Sequence, residues 1–550
     1  MSGYSAYEDH FAAENMPAEN DLPDFIYDLP ELEYPDRMNA ATLLLDQNIA
    51  HGRGDKIAIL TPNESWTYQN LLDKSHQIAH VLVKDMGLRP GNRVLLRSAN
   101  NPLMVACWFA VLKAGGIAVA TMPLLRARDL IPIINKAEIS FALCDERLKS
   151  ELEQAKTAAP SVQQVMYFNG SGLEGSGAEL EQRMAGKPTE FKAVDTAAQD
   201  IALIAFTSGT TGNPKGTMHY HQDILSMCHC VGNRLLGIAE DDVIIGSPPL
   251  AFTFGLGALV TFPFFAGATT VLLEEGTPDV YLAAIAQFQA TWSFTAPTAY
   301  RAMLANVGEY DLSCLRACVS AGEHLPLPTL QAWEEATGLR LIDGIGATEM
   351  IHIFISAAGS DIRPGATGKP IAGYQACIMD YQGRLLPAGE IGRLAVKGPT
   401  GCKYLNDDRQ GVYVQNGWNM TGDAYRMDED GYFWFQARDD DMIISSGYNI
   451  GGPEVEEALL DHPAVAECAV VASPDADRGQ IVKAFVVLTS DVTGNDEMVG
   501  ALQNFVKNAI APYKYPRAIE FVESLPKTET GKIQRYLLRQ REISSSSVNR

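Results

Sequence analysis

A ten-residue segment in the first half of the chain has the composition of a phosphate-binding loop. It reads TSGTTGNPKG, from Thr207 to Gly216, and it directly follows an apolar run, Ile201–Phe206, that predicts a buried strand. Glycines let a backbone approach a phosphate with its N–H groups pointing inward, and the hydroxyl and ammonium side chains add donors. The segment is not a Walker A loop, because Lys215 precedes a glycine rather than serine or threonine. It does not have the glycine spacing of a G-x-G-x-x-G loop either. It predicts another kind of phosphate site, against the alternative of a surface loop.

The elements around this segment follow the alternation that is typical of parallel sheets covered by helices. A helical segment, Leu71–Lys84, precedes the short apolar runs Arg93–Leu96 and Ile117–Ala120, and a similar alternation continues from Ile201 to about Ser356. Strands that alternate with helical segments predict βαβ units. We therefore expect an α/β fold in which the phosphate-binding segment follows a buried strand.

The texture of the sequence changes twice towards the C-terminus. After Pro364, glycines and short β-like runs predict a small β-barrel or sheet subdomain, at about residues 365–440. After Arg438, strands and helices alternate again, which predicts a separate α+β domain. We expect an N-terminal domain at 1–440 and a C-terminal domain at 441–550. Residues 1–40, rich in Pro, Asp and Glu, predict an extended arm on the surface.

Composition excludes several classes of protein. The net charge of −24 disfavours binding to nucleic acid or to anionic membranes. The most apolar stretch, Ala258–Leu273, is broken by Pro263 and Gly267 and is too short to span a bilayer. Nine cysteines without a C-x-x-C pair, and an acidic N-terminus without an apolar signal region, are typical of a cytoplasmic protein with reduced thiols.

Five segments, in order along the chain, resemble the motifs of the adenylate-forming superfamily of acyl-CoA synthetases, peptide-synthetase adenylation domains and luciferases. They are the phosphate segment, an adenine and magnesium motif (Gly344–Glu349), a ribose motif (Thr421–Asp423), a hinge (Arg438–Ile443) and a catalytic-lysine loop (Pro526–Lys532). The resemblance covers nearly the whole chain and is weakest in the first 40 residues. It implies a large N-terminal domain of two βα subdomains plus a small β-barrel, followed by a mobile α+β C-terminal domain.

The resemblance also implies the reactants and the roles of particular residues. ATP, Mg²⁺ and coenzyme A would serve a reaction that forms an acyl-adenylate and then a CoA thioester. Lys532, Glu349 and Thr207 would be catalytic, Glu349 would contact the metal, Asp440 would be the hinge, and Gly447 would line the CoA tunnel. The nucleotide-binding residues would be Thr207, Ser208, Gly209, Thr210, Thr211, Lys215, Gly322, Glu323, Asp343, Gly344, Ile345, Gly346, Thr348, Asp423 and Arg438.

A further segment, Pro248–Gly257, matches the acid-pocket motif of the same superfamily. With the residues around Glu349 it predicts a compact pocket with apolar and aromatic walls, which suits a flat aryl ring. The predicted pocket residues are Ala251, Phe252, Thr253, Phe254, Ile345 and His352. These two segments most resemble benzoate-CoA and 2-aminobenzoate-CoA ligases. Thr253 and His352 are candidate partners of a ring amine or hydroxyl, and the alternative is that His352 is an ordinary wall residue.

Several alternatives remain open at this point. The best interpretation is an aryl-CoA ligase for 2-aminobenzoate. Benzoate or hydroxybenzoate as the acid, a stand-alone adenylation enzyme that loads a carrier protein, and a non-catalytic nucleotide-binding protein are the others. A homodimer is the expected assembly, with no nucleic-acid or membrane partner. Histidines and cysteines between His219 and Cys230 have no common zinc-site spacing and are predicted to lie on a helix after the phosphate segment.

Overall fold

The structure is a computed structural model, and it describes residues 4–169, 179–207, 214–438, 441–445, 448–475, 478–490, 492–510, 512–528 and 531–548. Six predicted site positions lie outside the described residues: Ser208, Gly209, Thr210, Thr211, Asp440 and Gly447.

Strands of the described part form two large sheets and three smaller ones. In chain order they are β1 (Ile57–Leu60), β2 (Ser65–Thr67), β3 (Arg93–Arg97), β4 (Ile117–Thr121), β5 (Phe141–Asp145), β6 (Gln164–Phe168), β7 (Ile201–Thr207), β8 (Lys215–Tyr220), β9 (Val243–Gly246), β10 (Thr269–Val271), β11 (Trp292–Thr295), β12 (Ala317–Ala321), β13 (Leu341–Gly346), β14 (Ile353–Ser356), β15 (Lys369–Pro370), β16 (Gln375–Met379), β17 (Ile391–Lys397), β18 (Val414–Gln415), β19 (Trp418–Met427), β20 (Phe433–Arg438), β21 (Ile443–Ser445), β22 (Tyr448–Ile450), β23 (Val465–Asp475), β24 (Gly479–Leu488) and β25 (Ala518–Phe521).

Helices cover these sheets. They are α1 (Phe11–Glu14), α2 (Gln47–Ala50), α3 (Tyr68–His80), α4 (Pro102–Lys113), α5 (Ala127–Lys136), α6 (Lys149–Ala158), α7 (Glu179–Met184), α8 (His221–Met227), α9 (Thr253–Leu256), α10 (Phe262–Ala266), α11 (Pro278–Phe288), α12 (Pro297–Met303), α13 (Leu327–Thr337), α14 (Gln410–Tyr413), α15 (Gly452–Leu460), α16 (Asp496–Ala509) and α17 (Arg535–Val548). A π-helical segment, Gly257–Thr261, joins α9 to α10. Among the described residues, no helix is long and apolar enough to cross a membrane.

The two large sheets confirm the predicted βα architecture. Among the described residues, six strands lie in the order β6-β5-β3-β4-β7-β8 and nine in the order β15-β14-β13-β12-β11-β9-β10-β1-β2. The central pairs are parallel, and antiparallel pairs occur at the edges. Strand β3 is buried at every position, because both faces of a parallel sheet are covered. Helix α4 is also buried along its whole length. Strands β1 and β2 precede the six-stranded sheet in the chain but join the other one.

The smaller sheets carry the rest of the chain. Strands β16 to β20 form an antiparallel sheet in the region predicted to be β-rich, with β20 paired to the central β19. Strands β23 to β25 form a mixed sheet in the C-terminal region, with α15 packed on β23. This mixture of α and β elements agrees with the predicted fold class.

The N-terminal arm is not merely a surface segment, which corrects one expectation. The side chains of Tyr7, Leu32 and Met38 are buried. The Tyr7 hydroxyl donates to the Ile201 carbonyl at 2.6 Å, and Phe25 forms a bridge with Gly398. Apolar residues spaced widely among acidic ones anchor the arm across both the six-stranded sheet and the antiparallel sheet, a contact that local sequence patterns do not encode.

Candidate active site

The phosphate segment is the connection of a β-hairpin. Strand β7 ends at Thr207 and strand β8 begins at Lys215, and these two residues are paired across the hairpin. A Walker A loop leads from a strand into a helix, whereas here β7 is followed by its antiparallel partner β8. The Oγ1 atom of Thr207 is buried without a hydrogen-bond partner among the described residues. A buried hydroxyl of this kind is available to a ligand.

Beside the hairpin, Lys215 lies against a buried carboxylate. Its Nζ atom is 3.2 Å from Glu349 Oε1 and 2.7 Å from the hydroxyl oxygen of Tyr404. The Tyr404 hydroxyl in turn donates a short hydrogen bond to Glu349 Oε1. Burial and the neighbouring Glu349 raise the pKa of Tyr404 well above its usual value, so this phenol stays protonated as a donor. Tyr404 was not predicted from the sequence, because it lies 55 residues from Glu349 and belongs to no motif.

Glu349 fits the role of a magnesium contact. A hard carboxylate oxygen next to a phosphate-binding segment is the type of ligand that Mg²⁺ takes together with substrate phosphates. Glu349 is 6% exposed, and Thr207 and Lys215 come from the strands that flank the phosphate segment. The structure thus brings together Thr207, Lys215 and Glu349 from distant parts of the sequence.

The turn that carries Glu349 is held from two sides. His219 Nε2 donates to the Thr348 carbonyl at 2.8 Å, and the Thr400 hydroxyl donates to the Met350 carbonyl at 2.8 Å. Directly after the turn, Ile351 has a φ of +65°, a strained conformation for a β-branched residue. These contacts compensate for the strain and fix the direction of the side chains on either side of Ile351.

The histidine and cysteine group next to the hairpin takes structural roles. His219 lies on strand β8, not on the predicted helix, because the chain continues as a hairpin strand before α8 begins. Its pKa is lowered by burial, against a raising contribution from Asp223. Asp223 accepts a hydrogen bond from Lys403 at 2.8 Å, and both side chains are fully buried. His221 accepts from the Ala40 N–H at 3.2 Å. No group of three metal-ligating residues occurs in the part of the chain that is described.

The predicted adenine residues lie at two adjacent strand ends. Asp343, Gly344, Ile345 and Gly346 are on β13, while Gly322 and Glu323 follow its parallel neighbour β12. The Oδ1 atom of Asp343 and the Oε1 atom of Glu323 are buried without a hydrogen-bond partner among the described residues. Burial raises the pKa of Asp343 to about 7. These two strand ends, which we call the slot, therefore carry buried carboxyl atoms that are left for a ligand.

Asp423 and Arg438 face each other across strands β19 and β20. The two residues are paired in register, and Arg438 NH1 donates to Asp423 Oδ1 at 2.9 Å. Asp423 is buried, whereas the Arg438 side chain is half exposed. A carboxylate fixed at the edge of a cleft can accept hydrogen bonds from the two hydroxyls of a ribose.

Lys532 reaches the same slot from the C-terminal region. Gly322 has a φ of +92°, and a Cβ atom there would lie 3.8 Å from Lys532 Nζ. Lys532 is an exposed residue, yet the surrounding protein lowers the pKa of its ammonium, with Glu323 opposing that change and Arg438 adding to it. The structure therefore places the predicted catalytic lysine beside Gly322 and Glu323.

The predicted acid pocket is built around the His352 ring. Its centroid lies 5.6 Å from that of Phe254 and 4.8 Å from that of Phe262. Neither buried ring nitrogen makes a hydrogen bond of good geometry to the described residues. Burial lowers the pKa of His352 to about 3, against a raising contribution from the Phe254 backbone. A Cβ atom on Gly257 would lie 2.5 Å from the ring, so this close approach requires glycine.

The other predicted pocket residues are less uniform. Thr253 is buried, Ala251, Phe254 and Ile345 are half-buried, and Phe252 is 36% exposed. Phe254 and Ile345 pack against the main hydrophobic core. Phe262 was not predicted from the sequence. It follows the π-helical segment Gly257–Thr261, outside the matched motif, and completes the aromatic wall behind His352.

Known protein families match the chain over most of its length. The family model for the AMP-binding enzyme matches residues 46–404, and that for the AMP-binding enzyme C-terminal domain matches residues 454–532. The benzoate-CoA ligase of Thauera aromatica is 35% identical over 517 residues, which cover 93% of this chain and 97% of that protein. The mitochondrial acyl-coenzyme A synthetase ACSM3 of Rattus norvegicus is 34% identical over 88% of this chain and 85% of its own.

A solved structure is similar along almost the whole chain. The anthranilate CoA ligase AuaEII, in complex with anthranoyl-AMP, superposes with a TM-score of 0.89 at 35% identity and covers 94% of this chain and 100% of its own. The benzoate-CoA ligase and the acyl-coenzyme A synthetase ACSM3 differ by only one percentage point in their identity to this chain. Overall identity therefore does not decide which acid is used, and the pocket residues must.

Proposed function

Because the chain belongs to the family of AMP-binding enzymes and is an AMP-forming acid–CoA ligase that uses ATP, Mg²⁺ and coenzyme A, we propose that its acid is a small aromatic carboxylate, with 2-aminobenzoate as the first candidate. The observation that carries this proposal is the His352 ring, which is buried among aromatic side chains and whose two nitrogens make no hydrogen bond of good geometry to the described residues.

The first half-reaction is attack of the carboxylate oxygen on the α-phosphorus of ATP, with pyrophosphate leaving. Both reactants are anions, so catalysis consists mainly of positioning and of compensating negative charge. We assign the compensation of charge between carboxylate and α-phosphate to the Lys532 ammonium, beside Gly322 and Glu323. Thr207 and Lys215 would contact the outer phosphates, and Glu349 would hold Mg²⁺, which neutralises phosphate charge when bound.

We assign binding of the nucleoside to Asp423 and to the slot described above. Asp423, held by Arg438, would accept from the ribose hydroxyls, and the slot between Gly322 and Ile345 would hold adenine. In the second half-reaction, the CoA sulfur attacks the acyl carbonyl and AMP leaves with the C–O bond electrons. This step requires no nucleophile from the protein.

Recognition of the acid is assigned to the apolar pocket around His352. A neutral imidazole has one donor and one acceptor nitrogen, and the lowered pKa keeps this ring neutral throughout the neutral range. An amine or hydroxyl ortho to the carboxylate would satisfy a nitrogen that is otherwise buried and unpaired. An acid without that group leaves the nitrogen unsatisfied, and such a mismatch discriminates strongly between substrates.

A panel of acids with ATP and CoA tests the proposal. We expect kcat/KM for 2-aminobenzoate to exceed that for benzoate by about 10-fold or more, with 2-hydroxybenzoate between them and octanoate below all three. A preference for benzoate would point to an ordinary wall role for His352, and a preference for octanoate would overturn the aryl assignment. Failure to form a thioester with free CoA, despite formation of adenylate, would favour an enzyme that loads a carrier protein. The cytoplasmic location and the homodimer remain predictions.

A further inference from the structure

The loop that carries Gly322 and Glu323 is contacted by the C-terminal region at a second point. Helix α13 begins at Leu327, five residues after Gly322. The side chain of Glu457, which belongs to helix α15, lies at the N-terminus of α13. Glu457 Oε1 accepts from the Leu327 N–H at 2.9 Å and lies 3.2 Å from His324 Nε2. One carboxylate therefore holds both the nucleotide loop and the free N–H of the helix that follows it.

His324 is itself fixed between the two regions. Its ring stacks on Phe435, with centroids 5.0 Å apart and planes at 28°. Phe435 lies on β20, the strand that ends with Arg438, so the histidine connects the adenine side of the slot with the ribose side. The His324 side chain is 19% exposed and that of Glu457 is 28% exposed, which makes this an ordered contact at the rim of the slot.

Glu456, the neighbour of Glu457 on helix α15, pairs with Arg535 at the start of helix α17, shortly after Lys532. Glu456 Oε2 accepts from Arg535 NH2 at 2.7 Å, and Glu456 Oε1 accepts from Arg535 Nε at 3.0 Å. Arg535 stands three residues after Lys532. Helix α15 thus links the lysine loop, through Glu456, to the nucleotide loop, through Glu457.

We propose that His324 and Glu457 are positioning residues for adenylate formation, because they set the register between the nucleotide loop and the loop that carries Lys532. The proposal rests on the role of Lys532 in the proposed function. Neither residue touches the reacting atoms. Their effect arises because misplacing a catalytic group by about 1 Å can cost about 10²-fold in rate.

The alternative is that the contact only adds stability. A partly exposed contact between a histidine and a carboxylate contributes little by itself, and a carboxylate at a helix N-terminus adds about as little. A purely stabilising contact would leave both half-reactions unchanged in folded protein, or lower both equally. A positioning contact would lower only the step that needs Lys532.

The test measures the two half-reactions separately in the full-length enzyme. Pyrophosphate exchange reports adenylate formation, and conversion of synthetic 2-aminobenzoyl-AMP with CoA reports thioester formation. For His324→Ala and Glu457→Ala we expect exchange to fall about 10-fold or more, while thioester formation changes less than about 2-fold. Glu457→Gln keeps an acceptor for the Leu327 N–H, so it should retain more exchange activity than Glu457→Ala.

Matched controls separate the outcomes. Glu454, on the same helix, pairs with Lys514 within the C-terminal region, so Glu454→Ala removes a carboxylate without touching the nucleotide loop and should leave exchange unchanged. The double variant of His324 and Glu457 should lose little more than either single variant, because both act through one contact. Equal loss of the two steps, or full exchange activity in both single variants, would overturn the proposal. If Lys532→Ala itself lowers both steps equally, the proposed function fails instead.

Discussion

Lys215 Nζ lies 3.2 Å from Glu349 Oε1, so a cation of the phosphate hairpin shares the carboxylate to which we assign Mg²⁺. Tyr404 supplies a second donor to the same oxygen. An ammonium and a phenol together hold the Glu349 carboxylate beside strand β8. Two sequence motifs separated by more than a hundred residues are coupled by a tyrosine that belongs to neither.

Removing the hydroxyl of Tyr404 should weaken this arrangement. In Tyr404→Phe, Glu349 loses one donor in a buried site, and we expect about 1–3 kcal/mol less stability. We also expect kcat/KM for ATP in pyrophosphate exchange to fall about 10-fold, with a higher Mg²⁺ requirement. Thermal unfolding and a Mg²⁺ titration of exchange measure the two effects.

The neighbouring Tyr413 provides the matched control. Its ring packs edge-on against Tyr404 at 5.9 Å, and its hydroxyl is buried without a hydrogen-bond partner among the described residues. Tyr413→Phe removes an equivalent atom without loosening Glu349, so stability and Mg²⁺ dependence should stay the same or improve slightly. If both phenylalanine variants behave alike, the role given to Tyr404 is wrong.

Local patterns in the sequence were sufficient for the fold class, whereas the motif residues came from the resemblance to the adenylate-forming superfamily. The apolar runs predicted β3, β4 and β7 within a residue or two, because a parallel strand covered on both faces needs a continuous apolar sequence. The pairing of Thr207 with Lys215 was not predicted, because a loop followed by a helix was expected where the second strand of the hairpin lies.

Contacts between distant segments could not be predicted in this way. His219, Thr400 and Tyr404 act on the Glu349 turn through tertiary packing, and none has a neighbour in sequence that reveals its partner. The same limit applies to β1 and β2, which join the nine-stranded sheet although they precede the other sheet in the chain. Periodicity reports which face of an element is buried, but not what buries it.

Lys532→Ala should separate the two half-reactions. Loss of the ammonium beside Gly322 removes the charge that we assign to the transition state of adenylate formation, so exchange should fall about 100-fold or more. Conversion of supplied 2-aminobenzoyl-AMP with CoA should change less than about 2-fold. Lys527→Ala, in the same loop but paired with Glu467 on the surface, is the control and should affect neither step.

Replacing His352 should change which acid is preferred. His352→Leu removes both ring nitrogens from a buried pocket and keeps an apolar wall, so kcat/KM for 2-aminobenzoate should fall about 10- to 100-fold. For benzoate we expect a change of less than about 3-fold. Steady-state kinetics with both acids measure the ratio, and an equal loss for the two would mean that the histidine serves only as a wall.

Gly257→Ala reaches the same ring without altering a polar atom. The added Cβ would lie 2.5 Å from His352, so the ring must shift, and overpacking of this kind costs about 1–3 kcal/mol. We expect a lower melting temperature together with a reduced preference for 2-aminobenzoate over benzoate. Gly308→Ala, where a Cβ atom meets nothing within 4 Å, is the control for the general effect of adding a methyl group. An unchanged acid preference in a destabilised Gly257→Ala protein would separate packing from recognition.

The stability of the ligand-free protein should depend on pH through Asp343. Burial raises the pKa of this carboxyl group from 3.8 to about 7, so between these values the folded protein holds a proton that the unfolded chain releases. The contribution is fully present below about pH 4 and is lost as pH rises to about 7, at up to about 1.4 kcal/mol per pH unit.

Asp343→Asn removes this dependence of stability on pH. Urea unfolding from pH 5 to pH 8 should therefore show the variant gaining on the wild-type protein up to about pH 7 and keeping a constant difference above it. Asp241→Asn, at an exposed position, should track the wild-type protein throughout. Parallel curves for Asp343→Asn and the wild-type protein would show that Asp343 is ionised in the folded protein at every pH tested, and would contradict its raised pKa.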